Sequence, residues 1–584
     1  MVKNITQEFL DLIKLPNPNA KKLNYLFVMP RFVMNDDETY IMPIGLCYVS
    51  SALKASGRNV LTLNLNYKAE PYVLLRQIIV DNSIDVVLTG GLSGQFSLLK
   101  ELIDSAKNAN PNVITCVGGG IITADPVVAM KALGTVDYGI IGEGEITINS
   151  LAYALENNEN VRDVDGVILP NVQVYKSRPE IQNLDILPFP DYNGFEYGML
   201  LRDGLLLRQD LRGKTAFIVT GRSCPCKCTF CFRSSGQKYR RRSIENVILE
   251  IDWIISNYSI EYFYFLDELF INDIDFVKAI TSYVKKLNIG YWVQSRVDMV
   301  TKEILQILKK SGCYQIFYGI ESADNHILKS MKKNITVDQI NKALDWTMDV
   351  GLETRGNIIF GDPEETFETI NHTLKWWKRQ KQISIQLIWI MTFPGSHLYK
   401  IACDSGVIKD RVKYLIDNDF QINLTKMPNE QYWEMVKKVA LFQILLTNGM
   451  DFEFNDMIGV ENIISKNLEY LLKGQKIAIW PATIDIITML NGILPGFVDN
   501  DNVLLVNINP NDLFNIGNSR CRKIYSPDEV FSSYYIDIVL FAFGGERSIR
   551  VYNEINEMII QRYKNIKHII KLSELTASNF KEKY

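Results

Sequence analysis

Four cysteines lie close together in the middle of the chain, with the spacing of a metal-binding loop. The segment runs from Gly221 to the last of them as Gly-Arg-Ser-Cys224-Pro-Cys226-Lys-Cys228-Thr-Phe-Cys231. Thiolates are the ligands of soft metals and of iron–sulfur clusters. Three thiolates at this spacing can hold three corners of a four-iron, four-sulfur cubane, which leaves one iron free to chelate the amino and carboxylate groups of a small molecule. We therefore predict a [4Fe-4S] cluster on Cys224, Cys228 and Cys231.

A zinc site is the alternative for the same cysteines. Structural zinc takes four ligands, usually as two separated pairs, and no second pair follows in this sequence. The other cysteines stand alone, as do the histidines, which we expect at packing or surface positions: Cys47, Cys116, Cys313, Cys403 and Cys521; His326, His372, His397 and His568. Cys226 falls outside the spacing, so we interpret it as a bystander. Uneven cysteines of this kind are typical of a reducing compartment rather than of a disulfide framework.

Composition limits the classes of protein to which the chain can belong. Its 584 residues are too many for one core, so three or four domains are expected, and 47% hydrophobic with 22% charged residues is ordinary for a globular protein. The net charge of −4 builds no basic stripe, so no nucleic-acid partner is expected, and Arg240 to Arg242 are interpreted as a solvated loop. No signal peptide and no apolar run of about 20 residues is present, which predicts a cytoplasmic protein with no membrane span.

After an extension at 1–23, residues 24–170 are predicted to form a doubly wound α/β domain. Short apolar runs typical of buried parallel strands occur at 25–30, 60–65, 84–89, 113–117 and 138–141. Glycine clusters follow three of them, at 90–94, 118–120 and 142–144. Such sheets bind ligands at the carboxyl ends of their strands, so we predict a ligand there.

A linker at 171–213 leads to a second α/β region at 214–410. Six strand-like runs alternate with helical segments, at 216–219, 262–265, 291–293, 315–318, 357–360 and 386–390. Six βα units predict a partial barrel, short of the eight units of a complete one. A helical region at 411–474 and a small α/β domain at 475–584 complete the chain. The latter begins like a nucleotide-binding fold but lacks GxGxxG after its first strand, at 481–485, so we expect it to handle substrate or dock a partner.

The cysteine loop, with Phe230 before its last cysteine, resembles the CxxxCxxC signature of the radical S-adenosylmethionine (SAM) superfamily. The resemblance extends over 214–404, through FLDELF at 265–270, GIES at 319–322 and FPGS at 393–396. It implies SAM as a cofactor and a set of residues that contact it: Phe230, Glu268, Arg296, Glu321, Ser322 and Gly361. For two elements a purely structural role is open, because Asp267 and Glu268 can cap a helix and Gly361 can serve a turn.

The first domain resembles the Rossmann-like cobalamin-binding domain that precedes the barrel in one large class of these enzymes. The resemblance implies cobalamin contacts in the loops after the strands: Pro43, Gly45, Ser93, Gly118, Gly119, Gly120, Gly142, Glu143 and Gly144. No histidine occurs before His326, so the DxHxxG histidine of the broader cobalamin family is missing. Cobalamin is therefore expected base-off and without a histidine ligand from this domain. A relic domain that binds nothing is the alternative.

Together the resemblances imply a class B-like methyltransferase that acts on an unactivated carbon or on phosphorus, through a 5′-deoxyadenosyl radical and methylcobalamin. In such enzymes the cofactors carry the chemistry, and the protein supplies geometry. The motifs leave open a cobalamin-dependent cyclisation, ring contraction or oxidation, as well as a non-catalytic iron–sulfur electron carrier or sensor. Expected partners are a small-molecule or peptide substrate and a low-potential electron donor such as flavodoxin or ferredoxin. No residue is assigned to hydrogen transfer at the substrate.

Overall fold

The computed structural model describes residues 4–33, 39–206, 213–380, 383–447, 452–480, 490–506, 524–525, 527–541, 566–576 and 580. The chain divides into two compact units. The first contains Met1–Ile358, Ile383–Gln386 and Ile390–Leu424, and the second contains Ile359–Gln382, Leu387–Trp389 and Thr425–Tyr584.

The first unit begins with a six-stranded sheet in the order β2-β1-β3-β4-β5-β6. Its strands are β1 (Asn24–Met29), β2 (Asn59–Asn64), β3 (Val86–Gly90), β4 (Ile114–Gly118), β5 (Tyr138–Ile140) and β6 (Val167–Ile168). All neighbours run parallel except the last pair. The expected doubly wound domain is confirmed, and its strand order reverses between β1 and β3, where such sheets bind ligands.

Helices connect these strands and cover the sheet with apolar side chains. They span Ile44–Ala55, Pro71–Asp81, Phe96–Ala109, Gly120–Ala124, Pro126–Leu133 and Gly144–Glu156, after a short helix at Gln7–Leu12. One cluster joins strand residues Leu26 and Val28 to helix residues, and another surrounds Val117 with Leu99 and Leu133. Because every strand of a parallel sheet is covered in this way, its apolar runs show little alternation, and this made them readable from the sequence.

The second sheet has the order β14-β13-β12-β11-β10-β7. Its strands are β7 (Thr215–Ile218), β10 (Tyr262–Phe265), β11 (Gly290–Ser295), β12 (Cys313–Glu321), β13 (Glu353–Phe360) and β14 (Ser384–Trp389). From β7 to β13 each strand runs parallel to its neighbour. Helices at Ile244–Asn257, Ile274–Leu287, Lys302–Lys310, Val337–Val350 and Phe367–Arg379 follow strands of this sheet, with shorter ones at Tyr197–Arg202, Asn325–Ser330 and His397–Asp404. The six predicted strands of the partial barrel are thus all present.

A two-stranded antiparallel ribbon interrupts the sheet directly after β7. It consists of β8 (Gly221–Arg222) and β9 (Arg240–Arg241), with Gly221 opposite Arg241 and Arg222 opposite Arg240. The segment between these strands, 223–239, contains all four clustered cysteines. The ribbon therefore closes the base of the cysteine loop.

The remaining elements are helices and a third, parallel sheet. The helices span Arg411–Asp417, Asn429–Thr447, Met457–Leu471 and Pro527–Ser533. The sheet has the order β17-β16-β15-β18-β19, with β15 (Ile477–Trp480), β16 (Val503–Val506), β17 (Ile524–Tyr525), β18 (Ile536–Phe541) and β19 (Ile566–Lys571). Residues 481–485, where GxGxxG was sought, lie outside the described residues, as does Cys521. Of the helices in the described ranges, none is long and apolar enough to cross a membrane.

Candidate functional site

Hydrogen bonds hold the cysteine loop at Thr229 and at its start. The Thr229 N–H donates to the Met331 carbonyl at 3.0 Å, and the Leu398 N–H donates to the Thr229 carbonyl at 3.1 Å. At the start of the loop Ser223 has a left-handed φ of 69°, and its hydroxyl donates to the Gly236 carbonyl at 2.7 Å. The loop path is therefore set by protein contacts on the barrel side.

The thiols on this loop lie close together but do not converge on one point. Cys224, Cys226 and Cys228 are half-buried and Cys231 is exposed. Within the described part of the chain, no three His, Cys, Asp or Glu side chains are placed to hold a metal ion. The ligand set Cys224, Cys228 and Cys231 thus stays a prediction.

Protonation of the thiols reflects their mutual contacts. A hydrogen bond between Cys224 and Cys226, together with burial, raises the pKa of Cys224, and the same bond lowers the pKa of Cys226 to about 6. Desolvation raises the pKa of Cys228, and it raises that of Cys231 to about 11. Thiolates are the metal-binding form, so loading this loop must release protons. Cys226, interpreted as a bystander, contacts a predicted ligand directly.

A buried ion pair lies beside the loop, at the end of β12. Lys333 Nζ is 2.8 Å from Glu321 Oε1, and their side chains are 7% and 10% exposed. Glu321 has a φ of 67°, and the pairing of β12 with β13 is irregular between Gly319 and Glu321. A Cβ on Gly319 would lie 2.7 Å from Lys333 Nζ, so a larger residue there would have to displace the paired side chains. Burial lowers the pKa of Lys333, but Glu321 outweighs it, and the pKa is raised overall.

Arg296, which follows β11, joins the same cluster. Its guanidinium binds the Asp298 carboxylate through Nε and Nη2, both at 2.9 Å, and Nη2 also donates to the Lys333 carbonyl at 2.7 Å. Two of the residues predicted from the motifs, Arg296 and Glu321, are therefore brought together through Lys333. Sequence inspection missed Lys333, since nothing in its local pattern distinguishes it from a surface lysine.

The segment after β10 separates two neighbouring carboxylates. Asp267 is buried and accepts from the Thr220 hydroxyl at 2.7 Å and the Thr220 N–H at 3.2 Å, and burial raises its pKa. Glu268 is exposed. The following helix is capped by Asp273, whose Oδ1 accepts from two backbone N–H groups. A capping role for Asp267 or Glu268 is thus wrong.

The other predicted SAM contacts differ in burial. Ser322 is buried directly after Glu321, and Phe230 is half-buried in the cysteine loop. Gly361 follows β13 with a φ of 103°, a conformation that favours glycine, and it belongs to the second unit. Their roles toward a cofactor stay predictions.

In the first domain, two of the glycine loops pack backbone against backbone. The Gly91 N–H donates to the Gly118 carbonyl at 3.2 Å, and the Ile121 N–H donates to the Gly91 carbonyl at 3.0 Å. A Cβ on Gly119, whose φ is 86°, would lie 2.8 Å from the Gly91 oxygen. These glycines therefore have a packing role that is independent of any ligand.

Other predicted positions in this domain border open space. A Cβ at Gly45 or at Gly142 would meet no described atom within 4 Å. By contrast, a Cβ at Gly144 would lie 2.9 Å from Val49, so Gly144 permits close packing of two helices. Pro43 precedes the first of these helices and Ser93 is buried after β3. Gly45 and Gly142 are exposed, and their role toward cobalamin stays a prediction.

Glu143 is bound by the cysteine-loop ribbon rather than left free for a ligand. Its Oε1 is 2.7 Å from Arg222 Nη1, and its Oε2 is 2.7 Å from both Arg240 Nη1 and the Ile181 N–H. Arg222 Nη2 is also 2.6 Å from Glu145 Oε1. Burial would raise the pKa of Glu143, but Arg222 and Arg240 outweigh it, and the pKa is lowered.

The basic run Arg240 to Arg242 is not a solvated loop, so that interpretation was wrong. Arg240 and Arg242 are buried, because each guanidinium has a carboxylate partner, Glu143 for Arg240 and Glu250 for Arg242. The partners lie far away along the chain or on the following helix. A run of like charges therefore indicated ion pairing here, not exposure.

Phe232, directly after the last cysteine, lies between loops of both α/β regions. A Cβ on Gly395 would lie 2.5 Å from its ring and 3.1 Å from Ala124. A Cβ on Gly120 would lie 3.5 Å from the same ring. The glycines in 118–120 and in FPGS thus make room for one aromatic side chain that joins the cysteine loop to the first domain.

Two protein-family models match the chain. The radical SAM superfamily matches residues 218–376, and the B12 binding domain matches residues 30–152. The cofactors of the radical SAM domain are a [4Fe-4S] cluster and SAM. The cofactor of the B12-binding domain is cobalamin.

Curated relatives align with more than half of this chain. An uncharacterized methyltransferase of Pyrococcus horikoshii is 28% identical over 374 residues, which is 63% of this chain and 79% of that protein. The anaerobic magnesium-protoporphyrin IX monomethyl ester cyclase of Rubrivivax gelatinosus is 23% identical, over 64% of this chain and 68% of that protein.

Among solved structures, the fold is similar to that of TsrM from Kitasatospora setae, a radical SAM methyltransferase determined with cobalamin and a [4Fe-4S] cluster. The TM-score is 0.54 at 17% identity, over 66% of this chain and 76% of that one. This similarity concerns the architecture alone, a doubly wound domain followed by a partial barrel. On the two family matches, the chain contains a radical SAM domain at 218–376 and, before it, a B12-binding domain at 30–152.

Proposed function

We propose that the protein is a cobalamin-dependent radical SAM methyltransferase that acts on an unactivated carbon, or on phosphorus, of a small molecule or peptide. One observation carries the proposal: the loop with the cluster cysteines directly contacts the carboxyl-end loops of the B12-binding domain. Phe232 packs at Gly120, and Arg222 binds Glu143. A reaction that uses two cofactors needs their protein supports side by side, because reacting groups must be held within contact distance.

The residues present fit the cofactors. Cys224, Cys228 and Cys231 would hold the cluster, because these three thiols lie on one loop. Two cations from outside the loop, Lys333 and Arg296, act on Cys228. Those cations offset the negative charge that cluster thiolates bring into a half-buried site.

The remaining predicted contacts divide between the two other groups. Around SAM we place Phe230, Glu268, Arg296, Glu321, Ser322 and Gly361. Around cobalamin we place Pro43, Gly45, Ser93 and the loops 118–120 and 142–144. When bound, the cluster supplies the electron that cleaves SAM, and cobalamin carries the methyl group; the protein's own part is to bind, orient and exclude water.

Names of relatives favour methyl transfer over other outcomes. The Pyrococcus horikoshii relative is named a methyltransferase, and so is TsrM, whereas the Rubrivivax gelatinosus relative is a cyclase. A cyclisation is therefore the second candidate function. For the reductant we propose a low-potential flavodoxin or ferredoxin.

The test begins with the protein purified without oxygen and reconstituted with iron, sulfide and hydroxocobalamin. After desalting, iron and cobalt are counted and the visible spectrum is recorded. SAM and a titanium(III) reductant are then added, and 5′-deoxyadenosine and S-adenosylhomocysteine are measured by mass spectrometry. We expect about four irons and one cobalt per chain, a base-off spectrum and formation of both products.

The matched variants are Cys228→Ala and Cys403→Ala, of which only the first removes a predicted ligand. Loss of iron and of 5′-deoxyadenosine is expected in the first and not in the second. Four irons with no retained cobalt, or 5′-deoxyadenosine without S-adenosylhomocysteine, would contradict methyl transfer through cobalamin. Equal iron in both variants would contradict the ligand set.

A further inference from the structure

We infer that Arg222 is a positioning residue that sets the cysteine loop at a fixed distance from the B12-binding domain. The inference rests on the proposed function, because a fixed distance matters only if both cofactors take part in one reaction. It goes beyond that function by assigning the coupling to one side chain. Arg222 lies in β8, two residues before Cys224.

The guanidinium of Arg222 spans two carboxylates of the first domain. Nη1 is 2.7 Å from Glu143 Oε1 and Nη2 is 2.6 Å from Glu145 Oε1. The three side chains are 12%, 9% and 3% exposed, so water screens these pairs little. The guanidinium carbon also lies 5.0 Å from the centre of the Tyr48 ring, on the helix Ile44–Ala55. Arg222 therefore contacts two elements of the domain, the start of the helix Gly144–Glu156 and the helix Ile44–Ala55.

Both strands of the ribbon are held by the same carboxylate. Glu143 Oε1 pairs with Arg222 of β8, and Glu143 Oε2 pairs with Arg240 of β9. Arg222 and Arg240 lie directly opposite each other in the ribbon. Since the ribbon closes the base of the cysteine loop, a rotation of the loop against the first domain must break at least one of these bonds. A planar fork with two fixed donor directions restricts rotation in a way that a single ammonium group cannot.

A purely structural ion pair would depend on the charge of Arg222 more than on its shape. Arg222→Lys separates the two cases, because lysine keeps the charge and one bond but loses the fork. If Arg222 positions the loop, Arg222→Lys should load cofactors normally and yet let the loop move. Arg222→Gln removes the charge as well. Arg202→Gln is the matched control, since Arg202 pairs with Asp203 at the surface of the same unit.

The first measurement needs no cofactor. Hydrogen–deuterium exchange is followed on the full chain as purified, in peptides covering 221–231 and 142–146. We expect faster exchange in both peptides for Arg222→Lys and Arg222→Gln, and exchange like that of the wild type for Arg202→Gln. Unchanged exchange in Arg222→Lys would overturn the inference.

The second measurement uses the chain loaded with iron, sulfide and hydroxocobalamin and then reduced with dithionite, which converts cobalt(III) to cobalt(II) and adds one electron to the cluster. Cob(II)alamin and the reduced cluster are both paramagnetic, so the relaxation of the cobalt signal reports their separation. The proteins are compared at equal iron and cobalt contents. We expect the same relaxation enhancement in the wild type and in Arg202→Gln. In Arg222→Lys we expect a weaker enhancement with a broader distribution of relaxation rates. Enhancement identical to that of the wild type would overturn the inference.

Two further outcomes are also decisive. If Arg222→Gln does not fold, Arg222→Lys and Glu145→Gln, which keeps the shape of Glu145, carry the comparison by the same two measurements. If the wild type retains no cobalt, the proposed function fails, while the exchange experiment still decides whether Arg222 holds the loop.

Discussion

The Lys333→Met variant should unfold at markedly lower urea concentrations than the wild type. The change removes the cation whose Nζ lies 2.8 Å from Glu321 Oε1, and both side chains are at most 10% exposed. Breaking a buried pair by removing one partner costs about 3–5 kcal/mol, because the remaining charge is left uncompensated. Solvent screening does not reduce this figure appreciably at such burial.

A second variant determines how much of that cost belongs to the stranded carboxylate. In Lys333→Met with Glu321→Met, both charges are gone and the volumes are similar, so stability should return to within about 1 kcal/mol of the wild type or exceed it. Lys302→Met is the matched control. Its partner Asp349 is exposed, so the loss should be about 0–1 kcal/mol.

The assay is urea unfolding followed by tryptophan fluorescence, to which Trp292 in β11 contributes from the strand next to β12. The pH dependence has a defined sign. Because the pKa of Lys333 is raised in the folded protein, its contribution is complete below the unfolded lysine value of about 10.4 and is lost as pH rises through the folded value. Because protonation can relieve the carboxylate stranded in Lys333→Met, the two proteins are compared at about pH 9, where the Lys333 contribution of the wild type is still complete. If the free energy of unfolding of Lys333→Met lay within about 1 kcal/mol of the wild-type value, the argument that the pair is buried and coupled would be refuted.

Three further changes test other contacts. Glu143→Gln should lower the melting temperature above the ordinary glutamate pKa of about 4.3, and this difference should vanish as pH falls through the lowered folded value; a difference that persists at low pH would count against the ion pairs. Gly395→Ala should lower the free energy of unfolding by about 1–3 kcal/mol more than Gly406→Ala does, because its Cβ would clash with Phe232. Gly406 is the matched control, since it has a similar φ and a Cβ there would meet no described atom within 4 Å. Equal losses in the two variants would contradict the contact between Phe232 and Gly395. Cys226→Ala should retain the iron of the reconstituted wild type, by colorimetric assay, whereas loss of iron would make Cys226 a ligand.

The fold was largely predictable from apolar runs. Buried parallel strands such as β3 and β12 give near-continuous hydrophobic stretches, which sequence inspection recognised. It missed β6 and β17, which contain Val167–Ile168 and Ile524–Tyr525. Two-residue strands are too short for any pattern, and they form because a neighbouring strand offers its edge.

Spacing along the chain predicted the cysteine loop and Glu321, and their roles toward a cluster and SAM stay predictions. Arg222 pairs with Glu143 across 79 residues, and Lys333 matters only because β12 ends beside it. Such pairs follow from the packing of whole elements, so a single sequence gives no local sign of them. The same reason explains the error at Arg240, whose buried partner is remote in sequence.

The anchoring of the cysteine loop bears on the order in which the enzyme matures. Arg222 fixes the loop at its start and Phe232 fixes it at its end, and neither contact involves iron. Much of the entropy of ordering this segment is therefore lost during folding rather than on metal insertion. The backbone path of the loop is consequently set by protein contacts, and binding of a cluster has only to bring the thiols together.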